Sequence, residues 1–418
     1  MPTTKEHIII VNYDFPPNKG IGGRRWAKLA KAFAEKNYHV HVIKADSISD
    51  TETSVWTDDV RHKNIQVYSL PRKYPNILLS TPQNFLEKIQ YRASLRSVLK
   101  KYQGTPYDVS LGWNHSLSEK LNEITKNHPV HWIFATGAPW EMLRACATFK
   151  EKFDHLKLWV DLRDPWLNAR NYGITHLSEL KQKEEEEKAK KVVEQATIIS
   201  APAQEIFEPF ISKGWLSRSD KKLFHLKHFY SDKRMEIRKS PRNTQSIQLI
   251  YGGEVYLDTE KYFEEIAQDL DLLRKEHPKK YQELTIQIHS SSADKLQPIF
   301  KSHPTVQLSD SIGKSIERKI SHAQWCIILL AEHNQDFFTT KYFEYQQFGV
   351  PYLFIGPESS LVRKRIFEEN RGTDWKNFFN HYLNGEAIDH TSFNQQVSEK
   401  DSVDYRVHEI EKIMIALK

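Results

Sequence analysis

The chain has 418 residues, too many for one compact core of ordinary size, which implies two domains. Hydrophobic residues make up 39% and charged residues 27%, which excludes a disordered chain and fits a globular one. The net charge of +6 is too small to single out nucleic acid, anionic lipid or a phosphorylated substrate as the partner.

The opening MPTTKEHIIIVNY lacks the basic and long apolar regions of a signal peptide. Its apolar run His7 to Val11 predicts a strand. A loop with Pro16, Pro17, Gly20, Gly22, Gly23 and Arg24 follows, then a helical repeat with Trp26, Leu29, Ala30, Phe33 and Ala34 on one face. Val40 to Ile43 predicts the second strand. Strand, glycine loop, helix, strand is a βαβ unit and implies a parallel sheet. The glycines let backbone approach a ligand, and the helix start points N–H groups at the same spot, an arrangement suited to phosphate or to a tight turn alone. The G-x-x-x-x-G-K-[ST] of a nucleoside-triphosphate loop is missing.

Residues 83–102 predict a helix whose apolar positions are Phe85, Leu86, Ile89, Leu95, Val98 and Leu99, among Lys88, Arg92, Arg96, Lys100 and Lys101. Its apolar stripe is expected to pack on the protein's own sheet; the alternative is an anionic bilayer surface. His131 to Ala135 predicts a strand, Trp140 to Phe153 a helix, and Leu158 to Leu162 a strand that ends in Arg163-Asp164-Pro165-Trp166. Lys181 to Glu194 predicts a charged helix, with Lys183 to Lys191 read as a solvated face, before the strand Thr197 to Ser200. The polar stretch 231–246 is read as the interdomain linker.

A second alternation follows: strand and glycine turn at Ile247 to Gly253, helix Tyr262 to Lys275, strand Leu284 to His289, helix Ile312 to Ala323 and strand Cys326 to Leu330. Thr340 to Phe348 is a short helix, Tyr352 to Ile355 a strand, and Tyr405 to Leu417 an amphipathic helix. The reading is α/β with two Rossmann-like halves and a cleft between them: residues 1–240, residues 241–395, and a last helix, 396–418, packing back on the first. Within the short helix, Thr339 or Thr340 can cap, Lys341 stands in the first turn where it calls for an anion, and Glu344 can accept from ribose hydroxyls. Gly349 ends the helix and Pro351 leads into the next strand.

Three segments carry a resemblance. K-x-F-E-Y-x-x-x-G-x-P at Lys341 to Pro351 looks like the donor-site helix of bacterial family-4 retaining glycosyltransferases of GT-B fold. Y-D-F-P-P-N-K-G-I-G-G-R-R at the start and the internal V-D-L-R-D-P-W are similar to the same family and come in its order. The resemblance implies transfer of a sugar from a nucleoside diphosphate sugar to a hydroxyl acceptor, saccharide or lipid-linked, in bacterial cell-surface polysaccharide assembly. It implies that Glu344 holds the donor ribose, that Gly22, Gly23 and Arg24 lie at the donor diphosphate or acceptor, and that Gly253, Lys261, Thr340 and Lys341 line the nucleotide. Asp336 stands where the family has a glutamate on the donor sugar. Arg163 and Asp164 lie near where some members carry a catalytic histidine; Asp164 orients the acceptor hydroxyl or Arg163 binds phosphate, or the two form an internal pair.

The family's arginine after the first strand of the second domain is absent from Tyr251 to Lys261, which leaves a non-catalytic binding relative as the main rival. A nicotinamide oxidoreductase would want G-x-G-x-x-G, and the glycine spacing is wrong for it. No nucleic-acid module is present. Cofactors are not expected, nor a metal, because no Cys/His spacing suits one and His225 and His228 read as a polar loop edge. Cys146 and Cys326 lie in apolar runs, so a disulfide framework is not expected and a reducing, cytoplasmic setting is. The lipid-linked acceptors that the resemblance implies are what would bring peripheral contact with the inner membrane face, through the basic helix 83–102, as the alternative to its packing on the sheet.

Overall fold

The computed structural model describes residues 6–18, 21–47, 54, 56–169, 172–230, 246–255, 257–310, 315–332, 338–386 and 389–417. The chain divides into two compact units, Met1–Lys227 and His228–Lys418. The segment 231–246 read as a linker lies outside the described residues apart from Ser246, as does Asp336. The last helix belongs to the second unit, where Tyr230 bridges to Ser402.

The first unit is built on β1 (His7–Val11), β2 (His39–Ala45), β3 (Ile65–Leu70), β4 (Val130–Gly137), β5 (Lys157–Leu162), β6 (Ile198–Ala201) and β7 (Leu223–His225). Its helices are α1 (Arg24–Glu35), α2 (Phe85–Lys101), α3 (Asn114–Asn127), α4 (Glu141–Lys150), α5 (Glu179–Gln195) and α6 (Glu208–Ser212). The sheet order is β3-β2-β1-β4-β5-β6-β7, with every pairing parallel. Ile8 to Val11 are all buried, which is why β1 reads as an unbroken apolar run: a parallel strand covered on both faces has no solvent side.

The second unit holds β8 (Ile247–Gly252), β9 (Leu284–His289), β10 (Val306–Ser309), β11 (Trp325–Leu329), β12 (Tyr352–Ile355) and β13 (Gly372–Asp374). Its helices are α7 (Glu260–Glu276), α8 (Pro278–Glu283), α9 (Gln297–Phe300), α10 (Ser315–His322), α11 (Thr340–Gln346), α12 (Leu361–Glu368), α13 (Trp375–Leu383) and α14 (Val403–Ala416). The order β10-β9-β8-β11-β12-β13 is again wholly parallel. Alternate strand residues go to opposite faces. Leu249, Ile327 and Leu353 join one core with Phe263, Ile266 and Leu270 of α7. Ile250, Cys326, Ile328 and Phe354 join another with Tyr342 and Phe343 of α11. Both units therefore run outward from a first strand in both directions, the Rossmann order, and the α/β reading of two doubly wound halves holds.

Two local expectations are corrected. The helix α2 does not bury its stripe: Val98 alone of its residues is buried, with Tyr74 and Leu111, while Phe85 and Leu86 are 75% and 71% exposed. The run Lys183 to Lys191 is not a plain solvated face. Within it Glu185 and Lys188 are buried; Glu185 accepts from the indole N–H of Trp166 at 2.8 Å and the backbone N–H of Thr105 at 2.8 Å, and Lys188 pairs with Glu141 at 2.9 Å. A polar helix is buried here because each charge meets a fixed partner. Both cysteines are buried free thiols, and no helix among the described residues is long and apolar enough to cross a membrane.

At the start of the first sheet, His7 of β1 and His41 of β2 approach each other, Nδ1 to Nε2, at 2.9 Å. Burial first, then the neighbouring His128, His7 and His39, holds the His41 imidazolium down to about 4 from the ordinary 6.5. An unfolded chain therefore binds more protons than the folded one between these values, so stability is present above 6.5 and is lost as pH falls through 4. In metal-free buffer the thermal midpoint falls across this window, with His41 contributing on the order of 3 kcal/mol. A His41→Gln variant flattens that slope in a pH series of unfolding curves; an unchanged slope removes His41 as its source.

Candidate functional site

In a doubly wound sheet the ligand crevice lies beyond the carboxyl ends of the strands, where the order reverses. In the first unit that point is between β1 and β4. The chain leaves β1 through Asn12 to Asn18 and re-enters α1 by the 3-10 turn Ile21–Gly23. Asn18 is buried and fastens the loop, donating to Ala45 O at 3.0 Å and accepting from Lys44 Nζ at 2.9 Å.

The glycines do what their type suggests. A Cβ on Gly22 would lie 2.3 Å from the Arg163 guanidinium, and one on Gly23 would lie 2.3 Å from the Asp14 carbonyl oxygen. Gly22 and Arg163, read separately from the sequence, thus meet. The Arg163 backbone N–H donates to Gly137 O at 2.8 Å and its guanidinium to Ala138 O, which ties β5 to the turn after β4. Its Nε is buried without a hydrogen-bond partner among the described residues. Asp108 holds the same turn, accepting from the N–H groups of Trp140 at 2.7 Å and Glu141 at 2.8 Å.

Charge gathers around this arginine. Burial pushes the carboxyls of Asp14 and Asp164 up, while Arg163 pulls both back. Burial pushes the Tyr172 hydroxyl up to about 12, with Asp164 adding to it. Lys44 is lowered to about 8, chiefly by burial. Arg72 stacks over the Tyr13 ring at 4.9 Å. Asp14, Lys44, Arg72 and Tyr172 were not singled out from the sequence. Asp14 stands inside the Y-D-F-P-P segment, but the others come from separate stretches with no shared motif. Arg24, at the first position of α1, is buried.

The acid of V-D-L-R-D-P-W that matters most for folding is the first, Asp161. It is fully buried and accepts from Trp26 Nε1 at 2.8 Å and Ser200 Oγ at 2.7 Å, with Arg25 Nε at 3.4 Å. It locks α1 to β5 and β6 and so sets the position of the loop ahead of α1.

In the second unit the reversal falls between β8 and β11. Gly252 and Gly253 turn the chain after β8, and the Gly253 N–H donates to His289 O at 3.1 Å. The helix α11 is seated on this turn by Tyr345, whose hydroxyl accepts from the Gly252 N–H at 2.9 Å. Thr339 caps α11, accepting from the Lys341 N–H at 3.3 Å; Thr340, read as an alternative cap, is the first helical residue instead. Lys341 Nζ pairs with Glu344 Oε2 at 2.8 Å, one turn on. Gly349 follows the helix at φ 60, the left-handed conformation expected of its end.

A second layer backs α11. Tyr342 donates to Glu369 at 2.7 Å, and Arg365 binds Glu369 at 2.6 Å and Asp401 at 2.9 Å while lying 4.9 Å over the Tyr342 ring. Burial opposes ionisation of Glu369, but hydrogen bonds from Arg371, Tyr342 and Arg365 outweigh it and hold the carboxyl below its usual range. Lys261 does not join this group by any described contact. It pairs at the surface with Glu332, at 2.8 Å, and Tyr262 donates to the same carboxylate at 2.9 Å.

Known structures share the fold. The chain has the GT-B fold. It aligns over 99% of its length with all of an apo lipopolysaccharide outer core galactosyltransferase, WaaB, at 12% identity and a TM-score of 0.54. It aligns over 99% of its length with 96% of an Escherichia coli trehalose-6-phosphate protein bound with UDP-2-fluoro glucose, at 11% identity and a TM-score of 0.57. A putative UDP-N-acetylglucosamine 2-epimerase from Listeria monocytogenes matches 98% of this chain over 96% of its own, at 9% identity and a TM-score of 0.52. No protein-family profile and no curated protein matches the sequence.

The two glycines of the first loop differ in what opposes them, and that separates their substitutions. Gly22→Ala meets the far end of a flexible arginine and lowers stability by less than about 1 kcal/mol, displacing Arg163. Gly23→Ala meets backbone and costs about 1–3 kcal/mol. Urea unfolding of the two variants checks the order; equal losses would mean that the loop, not its contact atoms, absorbs the added methyl.

Proposed function

We propose that the protein is a glycosyltransferase that moves a sugar from a nucleoside diphosphate sugar to a hydroxyl acceptor. The observation that carries this reading is α11, seated by Tyr345 on the glycine turn after β8, with Lys341 and Glu344 paired along one turn. In the proposed mechanism Glu344 accepts from the donor ribose hydroxyls. Lys341 and the N–H groups at the start of α11 face the diphosphate and stabilise the negative charge that builds as it leaves. Thr340 and Gly253 line the nucleotide. In the first unit Gly22 and Gly23 let the donor or acceptor approach, Arg163 contacts phosphate, and Asp164 orients the acceptor hydroxyl. Retention at the anomeric carbon and a place in bacterial cell-surface polysaccharide assembly follow the family-4 resemblance, as does the role of Asp336 at the donor sugar. Neither a metal nor an organic cofactor has a part in this scheme.

The test is nucleotide binding followed by turnover. One of UDP, GDP, CDP and dTDP raises the thermal midpoint, because a ligand of the folded state stabilises by mass action. Glu344→Ala weakens that nucleotide at least about tenfold, a loss of about 1.4 kcal/mol. Unchanged binding and transfer in Glu344→Ala would show that the donor site is elsewhere. A second reading, a non-catalytic binding relative, draws on the missing arginine after β8 and on Lys261 being tied to Glu332. Nucleotide-sugar binding with no transfer to any hydroxyl acceptor decides for it.

The acceptor side extends the reading to a lipid-linked acceptor and peripheral contact with an anionic inner-membrane surface. Its support is the exposed part of α2, where Phe85, Leu86 and Ile89 stand with Lys88, Arg92, Arg96, Lys100 and Lys101. Apolar side chains and cations on one exposed helix match the bilayer interface. The protein is expected to pellet with vesicles containing anionic phospholipid and not with neutral ones, and Phe85→Ser with Leu86→Ser to release it. Equal pelleting of the double variant would remove α2 from the contact.

A further inference from the structure

Three histidines from separate stretches converge near the amino ends of the central strands of the first sheet. His7 opens β1 and pairs in register with His39 of β2. His39 and His41 are two residues apart and so project to one face of the sheet. His128 closes the connection from α3 and stands two residues before Val130, the strand residue paired with His7.

The rings form one group. The His41 and His128 centroids are 4.6 Å apart, those of His7 and His128 4.7 Å, and those of His7 and His41 5.2 Å. One ligating nitrogen from each ring can be chosen so that all three lie within 4.8 Å of one another. Two of them, His7 Nδ1 and His41 Nε2, are 2.9 Å apart. An ion with bonds of about 2.0–2.1 Å in a tetrahedron sets its nitrogens about 3.3 Å apart, so the nearest pair needs only a small opening. His7 and His128 are half-buried and have room to turn, while His41 is 3% exposed and fixed.

The surroundings select which nitrogen of His41 faces inward. Its Nδ1 lies 3.3 Å from the Tyr68 hydroxyl of β3, which leaves Nε2 directed at His7. Metal-bound histidines hold their other ring nitrogen on such an outer partner, which fixes ring and tautomer. The donor set is imidazole alone. That chemistry suits zinc and its late first-row neighbours and does not suit magnesium or calcium, which take oxygen. Packing by itself gives no reason for three polar rings here, since an aromatic hydrocarbon would fill the space without a proton to share between His7 and His41.

We propose that His7, His41 and His128 bind one divalent late first-row transition ion of the zinc class, with a water or other small ligand completing the shell. The ion clamps β1, β2 and the α3–β4 connection at the end of the sheet opposite the glycine turns. It is a structural site, independent of the transferase reading. No local spacing in the sequence announces it, because the ligands come from three elements, and it runs against the expectation of no metal.

The experiment uses the full-length untagged chain, stripped with chelator and dialysed, titrated with ZnCl2 by calorimetry and with CoCl2 by visible absorption. The expected result is one tight site per chain, a raised thermal midpoint with Zn2+, and the d–d bands of a four-coordinate Co2+ centre. His128→Ala, which alters a half-buried ring outside any strand, loses more than about tenfold in affinity. His7→Ala does the same, whereas His115→Ala at an exposed position of α3 leaves binding unchanged. Circular dichroism of each apo variant confirms that it is folded before titration. No stoichiometric binding by the wild-type chain overturns the proposal, and so does a site that persists in both His128→Ala and His7→Ala. Six-coordinate Co2+ spectra with weak, multiple binding overturn it as well, by showing surface adsorption alone.

Discussion

The parallel sheet is the constraint from which the rest follows. Strands that all run one way need a helical crossover between each pair, and right-handed crossovers place helices on both faces. Each sheet then grows outward from its first strand, β1 or β8, in both directions. The loops after the first and fourth strands part at the reversal. In both units glycines stand where the chain leaves the first strand: Gly22 and Gly23 in the loop after β1, Gly252 at the end of β8 and Gly253 just beyond it. The same geometry that buries the strands thus brings glycines to the reversal point of each sheet.

Most of this architecture is legible in the sequence, because buried parallel strands are written as short apolar runs. His7 to Val11, Leu284 to His289 and Tyr352 to Ile355 match strands end to end. The elements that escape are those with one wet side. In β3 the residues Gln66 and Ser69 are exposed and only Leu70 is buried, so its apolar signal is thin. The helix α5 shows the converse. Glutamates and lysines do not announce burial; the turn at 103–105, Trp166 and Glu141 reveal why Glu185 and Lys188 are inside.

The candidate site divides along similar lines. Ordered motifs exposed Gly22, Gly23, Arg163, Lys341 and Glu344, since glycine and capping chemistry are local. Lys44 and Arg72 reach Asp14, and Tyr172 reaches Arg163 and Asp164, from segments that no motif links; the three histidines of the sheet's far end also converge from separate segments. Convergence of this kind is set by register, His7 beside His39 for instance, and register is a property of the pairing, not of either strand. Asp161 and Arg163 show a further limit. They sit two residues apart in one motif, yet the first fastens α1 to the sheet and the second lines the loop.

Tyr345 joins a backbone amide to a helix across the reversal of the second sheet. Its hydroxyl accepts from the Gly252 N–H at 2.9 Å and is itself fully enclosed. The phenol covers that amide, which meets solvent when α11 lifts from the turn. Deuterium uptake at Gly252 is therefore a clock for the undocking of α11, read at a single residue and without any ligand present.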